Sequence, residues 1–235
     1  MEKSLRVNSD LEILFEDNHL IAVNKRAGQL AQGDRTGDIS LDQLVKQYIK
    51  TKYSKPGDVF LGVIHRLDRP VSGVILYART SKSLLRMNQL FKEQKIQKNY
   101  WCIVKDRPQP EEGTLNHHLI KNEAQNKSYA YNKPRPNTKP ASLDYRLISS
   151  SDRYSLLEVM LHTGRHHQIR CQLAKIGSPV RGDLKYGYPR TNKDASISLH
   201  ARSLEFIHPV RNDQVKILAP VPSDPLWNAL TDQFD

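Results

Sequence analysis

The chain has 235 residues, 38% of them hydrophobic, two cysteines and a formal net charge of +11. That length can bury a sizeable core in one large or two small domains, no run approaches the ~18 apolar residues of a membrane-spanning helix, and two distant cysteines exclude a disulfide framework. An excess of positive charge this large favours a polyanionic partner, because each phosphate neutralised by Lys or Arg releases counterions; a generic basic surface is the plainer alternative.

In chain order, the charged opening MEKSLR has neither an apolar run nor a small-residue cleavage site behind it, which argues against export, while the two distant cysteines Cys102 and Cys171 fit a reducing cytoplasm. Residues 11–25, LEILFEDNHLIAVNK, predict two short strands around a turn at Glu16-Asp17-Asn18. Residues 40–51 predict a helix behind Ser40, with Leu41, Leu44, Val45 and Tyr48 at helical spacing. Residues 73–78 are an apolar run of strand length. Ser81-Lys82-Ser83 then caps a second helix, on which Leu84, Met87 and Phe91 form a stripe of core type. Residues 99–105, 142–149 and 154–162 read as further strands.

Between these strands, residues 121–140 (KNEAQNKSYAYNKPRPNTKP) read as a long, basic, proline-rich hairpin loop. It is either a solvated connection or a surface for single-stranded nucleic acid, since Tyr129 and Tyr131 interleave with Lys127, Lys133 and Arg135. Strand signals outnumber helices and do not alternate with them, so the expected fold is α+β, with flanking helices on a mixed, mainly antiparallel sheet. No repeat or domain boundary stands out, and residues 1–235 read as a single domain. With no exposed apolar stripe, a monomer is expected.

Two stretches concentrate the chemistry. In VIHRLDRPVSGVILYART, residues 63–80, Asp68 stands between Arg66 and Arg69, with His65 beside them, at the mouth of the buried strand. In LHTGRHHQIRCQLAKIG, residues 161–177, Ile169, Leu173 and Ile176 predict the buried stripe of a helix that Thr163 or a neighbour caps and Gly177 ends. On that helix His166 and Arg170 share one side, and its first-turn N–H groups attract anions. Zinc is a weak alternative, because His162, His166 and His167 lack a ligand pattern with a matching Cys or carboxylate set.

Taken together, HRLDRPVSGVILYAR, KNYWCIV, TGRHHQIRCQLAKIGSPVRGDLKYG and LHARSLEFIHP resemble the ordered motifs of the RluA-type RNA pseudouridine synthases, from about residue 11 to 209. Several motifs in order are far more specific than any one of them. Arg26 stands where that family usually has Pro, and Val71 where Thr is common; both flank the catalytic positions. The S4 RNA-binding domain of many relatives is expected to be missing, since the first hairpin is read from residue 11.

The resemblance implies a cofactor- and metal-independent isomerase that converts specific uridines of structured tRNA or rRNA to pseudouridine. It assigns the essential carboxylate to Asp68, the base platform and proton handler to Tyr100, and the ion partner of the Asp to Arg170. It makes Arg66 the wedge that fills the gap left when the target base leaves its stack. His65, Arg69, Arg165, His166 and His167, with Lys127, Lys133 and Arg135, are the expected RNA-holding groups. Two other classes stay open: a catalytically silent RNA-binding protein, and an RNA hydrolase or glycosylase using Asp68. Product analysis separates them: isomerisation keeps the mass and changes the nucleoside, hydrolysis changes the mass, and a silent binder changes neither.

Overall fold

The computed structural model describes residues 11–34 and 37–234, so the charged opening at residues 1–6 lies outside it. It divides into two compact units, Met1–Ile96 with Glu205–Pro220, and Gln97–Leu204 with Val221–Asp235.

The first unit begins with the expected hairpin, β1 (Glu12–Glu16) antiparallel to β2 (Leu20–Lys25). Asp17 closes the turn, its Oδ1 accepting from the N–H groups of His19 and Leu20 at 2.7 and 2.8 Å. Helix α1 (Leu41–Lys52) follows Ser40, whose N–H donates to Gln43 Oε1 at 3.0 Å. The two-residue β3 (Gly62–Val63) and the wholly buried β4 (Ser72–Ala78) come next; β4 pairs antiparallel with both β2 and β3. Leu41, Val45 and Ile49 of α1 pack on Val23, Ile75 and Tyr77. Each such aliphatic side chain stabilises the fold by about 1.5–3 kcal/mol. Helix α2 (Ser81–Lys92) starts one residue earlier than its serines suggest, because Thr80 is the cap: its Oγ1 accepts from the Ser83 N–H at 3.1 Å.

The second unit is a run of antiparallel strands: β5 (Gln97–Val104), β6 (Glu112–Asn122), β7 (Lys127–Tyr131), β8 (Lys139–Ser150) and β9 (Ser155–Leu161), in spatial order β5-β9-β8-β6-β7. Helix α3 is Gln168–Lys175, and β10 (Leu199–Ile207) runs out of this unit into the first. There β11 (Gln214–Leu218) turns back on it, with the His208 N–H donating to the Asp213 carbonyl at 2.7 Å. Trp101, Ile103 and Leu156 form a core with Trp227 and Leu230 of α4 (Pro225–Thr231), whose cap Asp224 accepts from the Leu226 N–H at 2.9 Å. The class is α+β, as the sequence indicates, and every register described is antiparallel.

Two expectations need correction. Residues 121–140 are not one loop, because β7 adds to the edge of β6. The strand escapes a periodicity reading because its buried residue is the polar Ser128, with the tyrosines outward. The helix of the second cluster starts only at Gln168, so His166 lies before it and does not share a helix face with Arg170. The preceding turn is closed by the Gln168 side chain, whose Oε1 accepts from Thr163 Oγ1 at 2.8 Å and from the Arg165 N–H at 2.9 Å. Ile176, expected in the buried stripe, is 37% exposed at the helix end.

Candidate active site

In the first unit, Asp68 is half-buried on the segment between β3 and β4, between the exposed Arg66 and Arg69. The segment is anchored from below. Lys25, at the end of β2, is fully buried, and its Nζ donates to the carbonyls of Arg26, Arg69 and Val71 at 3.2, 3.0 and 2.6 Å. An ammonium carries three N–H groups and no acceptor, so three carbonyls match its charged form. Burial opposes that charge and draws the amine down to about 7, with Asp68 pulling the other way. The Gly28 N–H adds a bond to the Arg69 carbonyl at 2.8 Å, and the Val71 N–H closes a turn on the Asp68 carbonyl at 3.0 Å. The carboxylate therefore sits on a backbone held at Asp68 itself and at Arg69 and Val71 just after it.

The other groups of this stretch divide by role. His65 turns inward, its Nε2 accepting from the Leu76 N–H at 3.0 Å while its ring stacks on Phe91. Those bonds fasten the segment to β4 and α2. Arg69 donates to the Gly28 carbonyl at 3.0 Å and pairs with Asp38 at 2.8 Å, with half of its side chain exposed. Arg66 is exposed on the rim of a cleft of about 450 Å³ that Gln32, Lys46 and His65 also line.

In the second unit, Arg170 is buried on α3 and forms a two-pronged ion pair with buried Asp183, Nε to Oδ2 at 2.6 Å and Nη2 to Oδ1 at 2.9 Å. Asp183 escapes the sequence reading, although it stands in the GDLKYG that ends the third quoted motif. The residue before it has to be glycine. Gly182 has φ of +87°, and a Cβ there would lie 2.7 Å from the Ser196 carbonyl oxygen. Tyr186, three residues on, has its ring 5.1 Å from the Arg170 guanidinium. Its hydroxyl accepts from the Ser128 N–H at 2.8 Å and lies 3.0 Å from His167 Nδ1, and burial pushes its pKa up. The phenol oxygen thus accepts one backbone hydrogen bond and meets one imidazole nitrogen.

The three histidines go to different partners. His162 pairs with Asp144 at 2.7 Å, His166 lies 2.9 Å from Ser128 Oγ, and His167 meets Tyr186. Among the described residues no group of three His, Cys, Asp or Glu side chains is set to hold a metal. Cys171 donates to the Ser128 carbonyl, and burial pushes its thiol up to about 12. Arg165 donates from Nε to the Pro140 carbonyl at 2.9 Å.

Tyr100 is half-buried on β5, opposite Val159 of β9 and on the face away from Trp101 and Ile103. Lys98 shares its face two residues earlier, and burial lowers that amine's pKa. On the β7 edge, Lys127 lies over the Tyr129 and Tyr186 rings at 5.6 and 5.3 Å, and Arg135 over Tyr131 at 3.9 Å. Lys133 is exposed beside them. Cations interleaved with aromatic faces suit nucleotides, which offer phosphates and flat bases together.

Residues 19–175 match the family model described as RNA pseudouridylate synthase. The chain is 31% identical to tRNA pseudouridine synthase C of Haemophilus influenzae, across 95% of this chain and 98% of that one. It is 29% identical to ribosomal large subunit pseudouridine synthase C of Vibrio cholerae, across 93% and 68%. The fold resembles that of Human RNA Pseudouridylate Synthase Domain Containing 4, with a TM-score of 0.75 at 23% identity over 90% of this chain and 89% of that one.

Proposed function

This chain belongs to the RNA pseudouridylate synthase family and is an RNA pseudouridine synthase, and from that premise we propose which residues act and on what. The proposed substrate is a uridine in structured tRNA or ribosomal RNA, the substrates named for its relatives. The reaction breaks the C1′–N1 bond, turns the uracil while it stays bound, and forms C1′–C5. A proton leaves C5, one is taken up at N1, and atoms balance with no co-substrate. Asp68 is the proposed carboxylate at the sugar, Tyr100 the platform for the detached base, and Arg170 the proposed ion partner of the Asp. Arg66 is the proposed wedge for the flipped base's vacancy.

The observation that carries this reading is the anchoring of the Asp68 segment on buried Lys25. A carboxylate that must meet one sugar atom needs a backbone that does not wander. The proposed RNA-holding groups are Arg69, Arg165 and His166, with His65 and His167 fixing loops behind them, and the β7 edge of Lys127, Lys133 and Arg135. A monomer working in the cytoplasm is proposed on the grounds of composition given above.

Site-resolved pseudouridine mapping of tRNA and rRNA from cells with and without the gene tests the proposal. At least one position should lose its pseudouridine and regain it, without change of RNA mass, when purified protein is added. An identical map in both strains sinks the substrate assignment.

A further inference from the structure

The second unit holds a cleft of about 690 Å³ that the catalytic reading leaves unused. Three separate stretches wall it: the turn after β5, the tip of the β8–β9 hairpin, and residues 188–190. Each contributes an exposed cation, respectively Lys105, Arg153 and Arg190. Among the described residues none of these three is held in an ion pair, whereas Arg107 on the same rim is tied to Glu111 at 2.6 Å. Asp106 and Asp152 also line the cleft and offset part of the charge. Half-buried Tyr154 also lines it, hydrogen-bonded to Arg190, with the Arg181 guanidinium 5.6 Å from its ring.

The position is informative. Tyr100 lies midway along β5 and Lys105 immediately after its end, so about 16 Å of extended chain separates them. A ligand in this cleft is not the uridine under Tyr100. A small organic ligand calls for largely apolar walls; long cationic side chains on three loops suit a backbone of repeated phosphates.

We propose that this cleft is a second RNA site, in which Lys105, Arg153 and Arg190 take phosphates of the substrate RNA several nucleotides away from the target uridine. The proposal rests on the RNA reading above and extends it: the enzyme grips its RNA at two places, one at the reacting nucleotide and one beyond the far end of β5. Selection among RNAs with similar target loops then depends in part on whether a second segment reaches this cleft.

The test is the triple variant Lys105→Ala, Arg153→Ala, Arg190→Ala, all in exposed loops and outside the catalytic groups. Binding of total tRNA and of total rRNA is titrated from low to moderate salt. With all three phosphate-binding cations removed, the slope of log affinity against log salt should fall by about 2 for the RNA that is the substrate. In turnover, KM for the intact RNA should rise about tenfold with kcat unchanged, and the defect should vanish on an isolated stem-loop carrying the target uridine. An unchanged salt slope for both RNAs overturns the proposal. So does an equal defect on the stem-loop, which would put these cations beside the target. Wild-type protein that binds RNA with the expected slope but isomerises none of it refutes the catalytic reading and leaves the two-site proposal standing, since binding is read without turnover.

Discussion

Arg170 and Asp183, thirteen residues apart and both buried, hold each other through two nearly parallel hydrogen bonds of 2.6 and 2.9 Å. The pair fastens α3 to the segment that follows it, and so fixes the guanidinium that the proposed chemistry relies on.

Removing one member of a buried pair leaves the other charge uncompensated, at a cost of about 3–5 kcal/mol. Asp183→Asn should therefore lower thermal stability sharply. The double variant Arg170→Met, Asp183→Leu should recover much of that stability but no isomerase activity, if Arg170 serves the reaction as well as the fold. Recovery of turnover along with stability would make the pair purely structural. Melting curves and single-turnover rates on the three proteins distinguish these outcomes.

Lys25 supplies a pH signature. Its folded-state pKa is drawn down to about 7 from an unfolded value of 10.5. Between those values the unfolded chain binds the extra proton, so stability rises with pH; below about 7 the cost of the buried charge is fully present. Relative to Lys25→Met, wild type should gain stability from about pH 7 upward, by at most ~1.4 kcal/mol per pH unit. The variant should also be weaker at every pH, as the carbonyls of Arg26, Arg69 and Val71 lose a donor. Parallel stability profiles of the two proteins would show that the amine titrates normally.

The β7 edge predicts a binding defect without a chemical one. Replacing Lys127, Lys133 and Arg135 together with Ala should reduce the salt slope of RNA binding by about 2 and leave kcat at saturating RNA nearly unchanged. Tyr100→Phe should do the reverse, with near-normal affinity from the retained ring and slower isomerisation if the hydroxyl moves a proton. A salt slope that the triple change leaves untouched would make this edge a solvated connection.

Much of this arrangement is legible in the sequence where local rules act alone. The Glu16-Asp17-Asn18 turn, the helix after Ser40 and the apolar run of β4 follow from period and capping. What escapes are features set by distant partners. Lys25 reads as the polar end of a strand until its amine is seen among carbonyls from the Asp68 segment. Asp183 reads as one more loop carboxylate, because its partner lies on a helix. The strand β7 has no apolar alternation, since Ser128 is buried through its bonds to Tyr186 and His166. The late start of α3 follows from Gln168 bonding backward to the Thr163 turn, a choice helical spacing does not encode. Helix α4 could have been found, for Asp224-Pro225 is a capping residue followed by proline at the first helical position.

The central claim is that Asp68 performs the chemistry, and the substitution Asp68→Asn tests it most directly, since it keeps the side chain's shape and removes only its charge. Pseudouridine formed at the mapped position is measured in single turnover, beside RNA affinity for the same protein. The account predicts no detectable product with affinity within about tenfold of wild type. Product at a wild-type rate from Asp68→Asn would contradict it.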